Sequence, residues 1–214
     1  MMTNELYKRI LTSIILIPLL FFIIFKGSYF FLLTLLLVFF ISIIELFKLN
    51  KKLKLVNYFG LFFLIFSFYT AYLLRGSTNE SALNFLFVII ICISTDIGGY
   101  IFGKIFKGPK VSSISPNKTY SGIFGSYILS IISSLFFIKY FMNIEINIID
   151  IIFLIISIST ISQLGDLLIS FLKRVNKVKD TSNILPGHGG LLDRIDGMIF
   201  AVPFFYIVQL IIIF

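Results

Sequence analysis

Tryptophan is absent from the sequence, and cysteine and histidine occur once each, at Cys92 and His188. A single cysteine excludes an intrachain disulfide framework, and one cysteine with one histidine cannot fill a usual zinc shell. Charge is scarce too: Asp, Glu, Lys and Arg make up 13% of the 214 residues, with 10 acidic side chains against 18 basic ones. No polar stretch is long enough to fold separately in water, so the chain reads as a single domain. With no soluble module to bind it, nucleic acid is not an expected partner, despite a net charge of +8.

Hydrocarbon fills the chain instead. Hydrophobic residues make up 58% of it, 27 of them Phe, a balance that no water-soluble core of this size requires. The expected fold is therefore all-α, a polytopic integral membrane protein. A helix rising about 1.5 Å per residue needs roughly 20 apolar residues to cross about 30 Å of hydrocarbon. About seven such windows occur, at 10–25, 28–47, 56–74, 81–102, 120–142, 148–172 and 191–214. Lys8 and Arg9 precede the first like the start of a signal peptide, but no small-residue cleavage site follows Phe25, so the window is kept as a helix.

Basic residues divide unevenly between alternate loops. Fifteen fall on one side: Lys8, Arg9, Lys48, Lys51, Lys52, Lys54, Lys104, Lys107, Lys110, Lys118, Lys173, Arg174, Lys177, Lys179 and Arg194. Only Lys26, Arg75 and Lys139 fall on the other. The positive-inside rule then places the N-terminus and the 104–119 and 173–196 loops in the cytoplasm, beside anionic lipid.

Glu45, Asp96 and Asp166 lie within or at the ends of apolar windows, where an ionised carboxylate costs on the order of 2.5 to 3.5 kcal/mol at mid-bilayer. Ser159, Gln163, Asp166, Ser170 and Lys173 recur at helical spacing on one face, as do Cys92, Asp96, Gly99 and Gly103. Both stripes are expected to point into the bundle. Asp96 and Asp166 are read as functional, because intramembrane carboxylates are so by default; the bland alternative pairs Asp166 with Lys173. Glu45 is read as snorkelling toward Lys48 or Lys52. Gly122, Ser126, Ser130 and Ser134 form a small-residue face suited to close helix packing.

The segment after Asp166 gathers Lys173, Arg174, Lys177, Lys179 and Arg194 around Gly187, Gly189 and Gly190, whose lack of side chains lets backbone approach a ligand. Asp193 and Asp196, three apart at a helix start, are expected to share a face. Clustered carboxylates with Lys and Arg but no Cys indicate hard-oxygen, magnesium-type chemistry on a polyphosphate. The competing structural reading makes Asp193 a helix cap and the glycines a plain turn. Ser113, Ser115, Asn117, Lys118 and Thr119 at a helix start suggest a phosphate cradle.

Ser170, Leu172, Lys173, Arg174, Lys179, Asp180, Ser182, Leu185, Pro186, His188, Gly189, Gly190, Asp193, Arg194 and Asp196 together resemble the signature of the phosphatidate cytidylyltransferases. Gly165-Asp166, the run Asp96, Gly98, Tyr100, Gly103, and the run Ser115, Pro116, Lys118, Thr119, Gly122 are similar to that family's upstream segments. The resemblance covers Asp96 to the end. It implies transfer of cytidylate from CTP to phosphatidate, giving CDP-diacylglycerol and pyrophosphate, in a bacterial inner or organellar membrane with the site on the cytoplasmic side. It implies Mg²⁺ on Asp166 and Asp193, support from Asp196, and phosphate contacts from Lys173, Arg174, His188 and Arg194. Asp96, Ser115, Lys118, Thr119, Lys179, Asp180, Gly189 and Gly190 would bind substrate. A second, monovalent cation and a homodimer are left open. The expected organisation is one transmembrane domain over 1–214, with N-terminal helices in 1–80 and catalytic helices and loops in 81–214.

Tyr120 and Ser121 stand where the family commonly has Trp and Glu, Ile97 where it has Thr or Ser, and the chain is shorter than most relatives, chiefly at the N-terminal end. Two rivals explain less. A CDP-alcohol phosphotransferase would carry an Asp-Gly-x-x-Ala-Arg motif, and a transporter would leave the His-Gly-Gly segment unexplained.

Overall fold

The computed structural model describes residues 18–50, 54–111, 115, 118–142, 147–184 and 189–212, and these are overwhelmingly helical. After a first helix over 18–26 (α1) come α2 (Ser28–Leu49), α3 (Lys54–Arg75), α4 (Asn79–Phe106), α5 (Tyr120–Phe141), α6 (Ile148–Val175), the single turn α7 (Leu192–Ile195) and α8 (Met198–Ile212). Helix is the open-chain form that satisfies every backbone N–H and C=O within hydrocarbon.

Five helices, α2 to α6, are long and apolar enough to cross a membrane. They correspond to the second through sixth expected windows. Of the first window, residues 10–17 lie outside the described ones. The last expected window is divided: α7 stops at Ile195, and α8 starts at Met198 and runs 15 residues, with Pro203 inside it. The division falls at Asp196-Gly197, where the Asp196 carboxylate accepts from the Gly197 N–H at 2.9 Å. The Gly197 carbonyl then accepts the first α8 amides, from Phe200 and Ala201. Asp193 and Asp196 thus do not share a face of one helix, as the spacing suggested; a break lies between them.

The fold divides into two compact units, one of residues 1–82 and 172–195, the other of residues 83–171 and 196–214. In the first, α2 packs along α3 and against α7. Arg75, 4% exposed at the end of α3, donates from Nε and Nη2 to the Ile24 carbonyl at 2.9 and 2.5 Å and from Nη2 to Phe25 at 3.3 Å. Its guanidinium also lies 5.8 Å from the centre of the Phe31 ring. One arginine thereby caps the last carbonyls of α1, which a helix end leaves unpaired. Buried Asn50 closes α2: its N–H returns to Leu46, its carbonyl accepts from Asn57 at 3.1 Å and its Oδ1 accepts from Asn176 at 2.7 Å.

The second unit is built on a close crossing of α4 and α5. A Cβ on Gly98 would run into the Gly125 carbonyl, and one on Gly99 would come within 2.9 Å of the Ser126 hydroxyl. Gly122, Ser126, Ser130 and Ser134 are all buried, as the small-residue spacing predicts. Ser126 donates to the Thr95 carbonyl at 2.7 Å, and the Thr95 and Ser159 hydroxyls bond at 2.7 Å to tie α4 to α6.

Candidate functional site

In the first unit, α6 ends by overwinding into the signature segment. Val178 N–H bonds to the Lys173 carbonyl and Lys177 N–H to the Arg174 carbonyl, with Lys177 in the left-handed region at φ 56, a Schellman termination. Arg174 is exposed and donates to the Val178 carbonyl at 3.2 Å. Lys173 is buried and turns to Asp193 Oδ1 at 2.7 Å, so the bland pairing of Lys173 with Asp166 is replaced by a partner in α7.

Asp193 holds the segment together. Its Oδ2 accepts from the Thr181 N–H at 2.8 Å, the Thr181 hydroxyl at 3.0 Å and the Gly190 N–H at 3.0 Å. Burial pushes its carboxyl up, but Lys173 and the two amides outweigh that and hold it below its ordinary range. Asp193 lies inside α7 and bonds to the Gly190 amide ahead of that helix, so it is not the N-terminal cap of the structural alternative.

Glu45 was not recognised in the sequence. Snorkelling to Lys48 or Lys52 does not describe it: Glu45 is fully buried. Its carboxylate accepts from Ser182 Oγ at 2.5 Å, Thr181 Oγ1 at 3.2 Å, Leu191 N–H at 2.9 Å and Leu192 N–H at 2.7 Å. The available signal was an acid inside an apolar helix. Gly190 owes its lack of a side chain to this arrangement, since a Cβ there would collide with Thr181 Oγ1 and lie 3.0 Å from both Glu45 oxygens. Lys179, Asp180 and Arg194 are exposed, Gly189 sits at φ 84, and His188 lies outside the described residues.

The second unit contains the other expected acids. Asp166 is half-buried; its Oδ2 meets Lys118 Nζ at 2.5 Å and its Oδ1 accepts from Ser170 at 3.3 Å. Gln163 reaches Ser159 at 3.4 Å, so neighbours on the predicted polar face do bond along it. Lys118 is delivered by a small turned loop in which Val111 N–H bonds to the Lys118 carbonyl and Lys118 N–H to Ser115. Thr119 caps α5 by accepting from Gly122 N–H at 3.1 Å. Ser113 and Asn117 of the expected cradle lie outside the described residues. Asp196 is buried, whereas Asp96 is exposed even though Cys92 of the same stripe is buried. Among the described residues, no three of His, Cys, Asp and Glu cluster closely enough to hold a metal ion by themselves.

Fold and side chains define a multi-pass helical membrane protein in which two carboxylates, Asp166 on α6 and Asp193 on α7, are each paired with a lysine. The profile described as "Cytidylyltransferase family" matches residues 50–212, and the chain belongs to that family. Among similar proteins, the phosphatidate cytidylyltransferase of Staphylococcus epidermidis is 42% identical over 126 residues, 58% of this chain and 48% of that one. The protein of the same name from Bacillus subtilis is 39% identical over 130 residues, 60% of this chain and 48% of that one. That from Brucella suis is 36% identical over 149 residues, 69% of this chain and 54% of that one. The chain spans about half the length of these curated relatives.

Proposed function

We propose that the protein transfers cytidylate from CTP to phosphatidate, releasing pyrophosphate, at the cytoplasmic face of a bacterial inner membrane. The carrying observation is that two carboxylates of the family-like segments each meet a lysine of those segments, Asp166 with Lys118 and Asp193 with Lys173. Family membership supports the same reaction class.

A phosphate oxygen of phosphatidate attacks the α-phosphorus of CTP, the α–β anhydride bond breaks, and pyrophosphate departs in line. The lipid phosphate is already ionised near neutral pH, so the attack needs no strong base. Lys118, Lys173, Arg174 and Arg194 supply cationic donors for phosphate oxygens, and such groups act where charge develops. In this reading His188 hydrogen-bonds a phosphate. Ser115, Thr119, Lys179, Asp180, Gly189, Gly190 and Asp96 complete the proposed substrate-binding set.

Asp166 and Asp193 are the residues that would hold Mg²⁺, with Asp196 in support. The donor type fits, because Mg²⁺ keeps several waters and takes one or two carboxylates plus substrate phosphates rather than an all-protein cage; both Asp193 oxygens are engaged by Lys173, Thr181 and Gly190, so the ion would have to displace Lys173 there. When bound it neutralises phosphate charge. A monovalent cation and a homodimer remain further options of the same reading.

The test follows individual phosphorus atoms. With purified protein, phosphatidate and Mg²⁺, label at the α-phosphate of CTP should enter the organic phase and γ-label should leave as pyrophosphate. A lipid kinase would move γ-label into lipid, and a transporter would break no bond. Failure of α-label to reach lipid with folded protein would sink the reading.

A further inference from the structure

Glu45 lies far in sequence from the signature, yet the four groups that donate to its carboxylate all lie within that segment. Two partners, Thr181 and Ser182, precede residues 185–188, and two, Leu191 and Leu192, follow them. Glu45 therefore fastens both limbs of one loop at its neck. Asp193 grips the same neck through Thr181 and Gly190. The two carboxylates are linked by one side chain, since the Thr181 hydroxyl lies 3.2 Å from Glu45 Oε2 and 3.0 Å from Asp193 Oδ2. That hydroxyl has a single hydrogen to share between them.

We propose that Glu45 is a positioning residue that closes the neck of the signature loop and so fixes how Asp193, Lys179 and Asp180 meet substrate. What the loop does rests on the cytidylyltransferase reading; that Glu45 closes it rests on geometry alone. A fully buried carboxylate is costly unless hydrogen bonds satisfy it. Here the loop supplies all four donors named, and the loop's Leu191 and Leu192 amides have Glu45 as acceptor. Gly190 fits against Glu45 and Thr181 with no space for a Cβ, so a residue of the signature itself is shaped around Glu45.

Glu45→Gln keeps the shape but turns one acceptor oxygen into an N–H₂ donor that faces other donors. The full chain in detergent is examined by hydrogen exchange and by the labelled-CTP assay. Exchange of the 181–192 segment should accelerate while α5 amides stay as in wild type. Turnover should fall about ten- to a hundredfold, the range for outer partners that orient a functional group, with kcat affected more than the KM for CTP. Adding Thr181→Val to Glu45→Gln should cost less than the two single effects combined, because both changes open the same neck.

Unchanged exchange at 181–192 in folded Glu45→Gln protein overturns the closure, and full kcat with accelerated exchange overturns the positioning role. If Glu45→Gln does not fold, Ser182→Ala and Thr181→Val remove one hydroxyl each and must reproduce the local exchange effect, or the proposal falls. An inactive wild type would remove the cytidylyltransferase reading and the substrate role with it, while the exchange result would still decide the closure.

Discussion

Lys118 Nζ lies 2.5 Å from Asp166 Oδ2, and both side chains remain about a quarter exposed, at 25% and 26%. A pair so open to solvent contributes about 1 kcal/mol or less to stability. Lys118→Ala should therefore leave the melting temperature almost unmoved while lowering cytidylyl transfer about ten- to a hundredfold, since a charge-assisted contact to phosphate is worth roughly 1.5 to 3 kcal/mol. Equal losses of stability and turnover would make the pair a structural strut.

Asp193 and Lys173 form the contrasting pair, at 5% and 10% exposure. Removing one partner of a buried pair costs about 3 to 5 kcal/mol. Asp193→Asn should thus lower thermal stability and turnover together, whereas Asp166→Asn should abolish turnover in a protein that melts normally. Denaturation and assay of the two variants side by side would show the split; matched melting curves would refute it.

The depressed Asp193 carboxyl sets an acid limit. Its folded value lies below the unfolded one of about 3.9, so its stabilisation is fully present above the unfolded value and is lost as pH falls through the folded one. Between pH 5 and 8, in magnesium-free detergent, protection of the Thr181 and Gly190 amides should stay constant after correction for intrinsic exchange. A decline beginning near pH 6 would contradict the bonding found here.

Helix packing can be tested with one methyl group. Gly98→Ala pushes a Cβ into the backbone carbonyl of Gly125 and should destabilise by about 1 to 3 kcal/mol. Gly60→Ala meets the Leu46 side chain rather than backbone, with Cδ2 at 2.7 Å, and should cost less than Gly98→Ala, since a side chain can shift and helix propensity favours Ala by up to about 1 kcal/mol. Reversed melting shifts would discredit the α4–α5 crossing.

The proposed orientation is open to labelling. Cys92 is buried and gives little background, so cysteines introduced at Lys110 or Lys179, both exposed, should react only from the cytoplasmic side of intact cells or vesicles. Reaction of either from outside would defeat a one-sided site.

The five long helices were legible because hydrocarbon thickness imposes a length that composition alone reveals. The α4–α5 contact was legible for a similar reason, since small residues at helical spacing have few other uses. Glu45 was not, because its partners are distant in sequence and a lysine stands three residues on at Lys48. The stop between Asp193 and Asp196 was hidden by continuous apolar character on its C-terminal side, where only Gly197 hinted at it. Lys173 shares a helical face with Asp166, but periodicity could not show that its long side chain turns to Asp193.

Arg75 has a bearing on how the protein is made. The carbonyls of Ile24 and Phe25 find their side-chain donor about fifty residues later in the chain, and an unpaired carbonyl in lipid costs several kcal/mol. As the chain emerges from the ribosome, α1 and α2 therefore lack this donor at the junction between them. Their end stays unfinished, and open to water or headgroups, until α3 delivers its last residue, so the first three helices enter their final arrangement as one cohort.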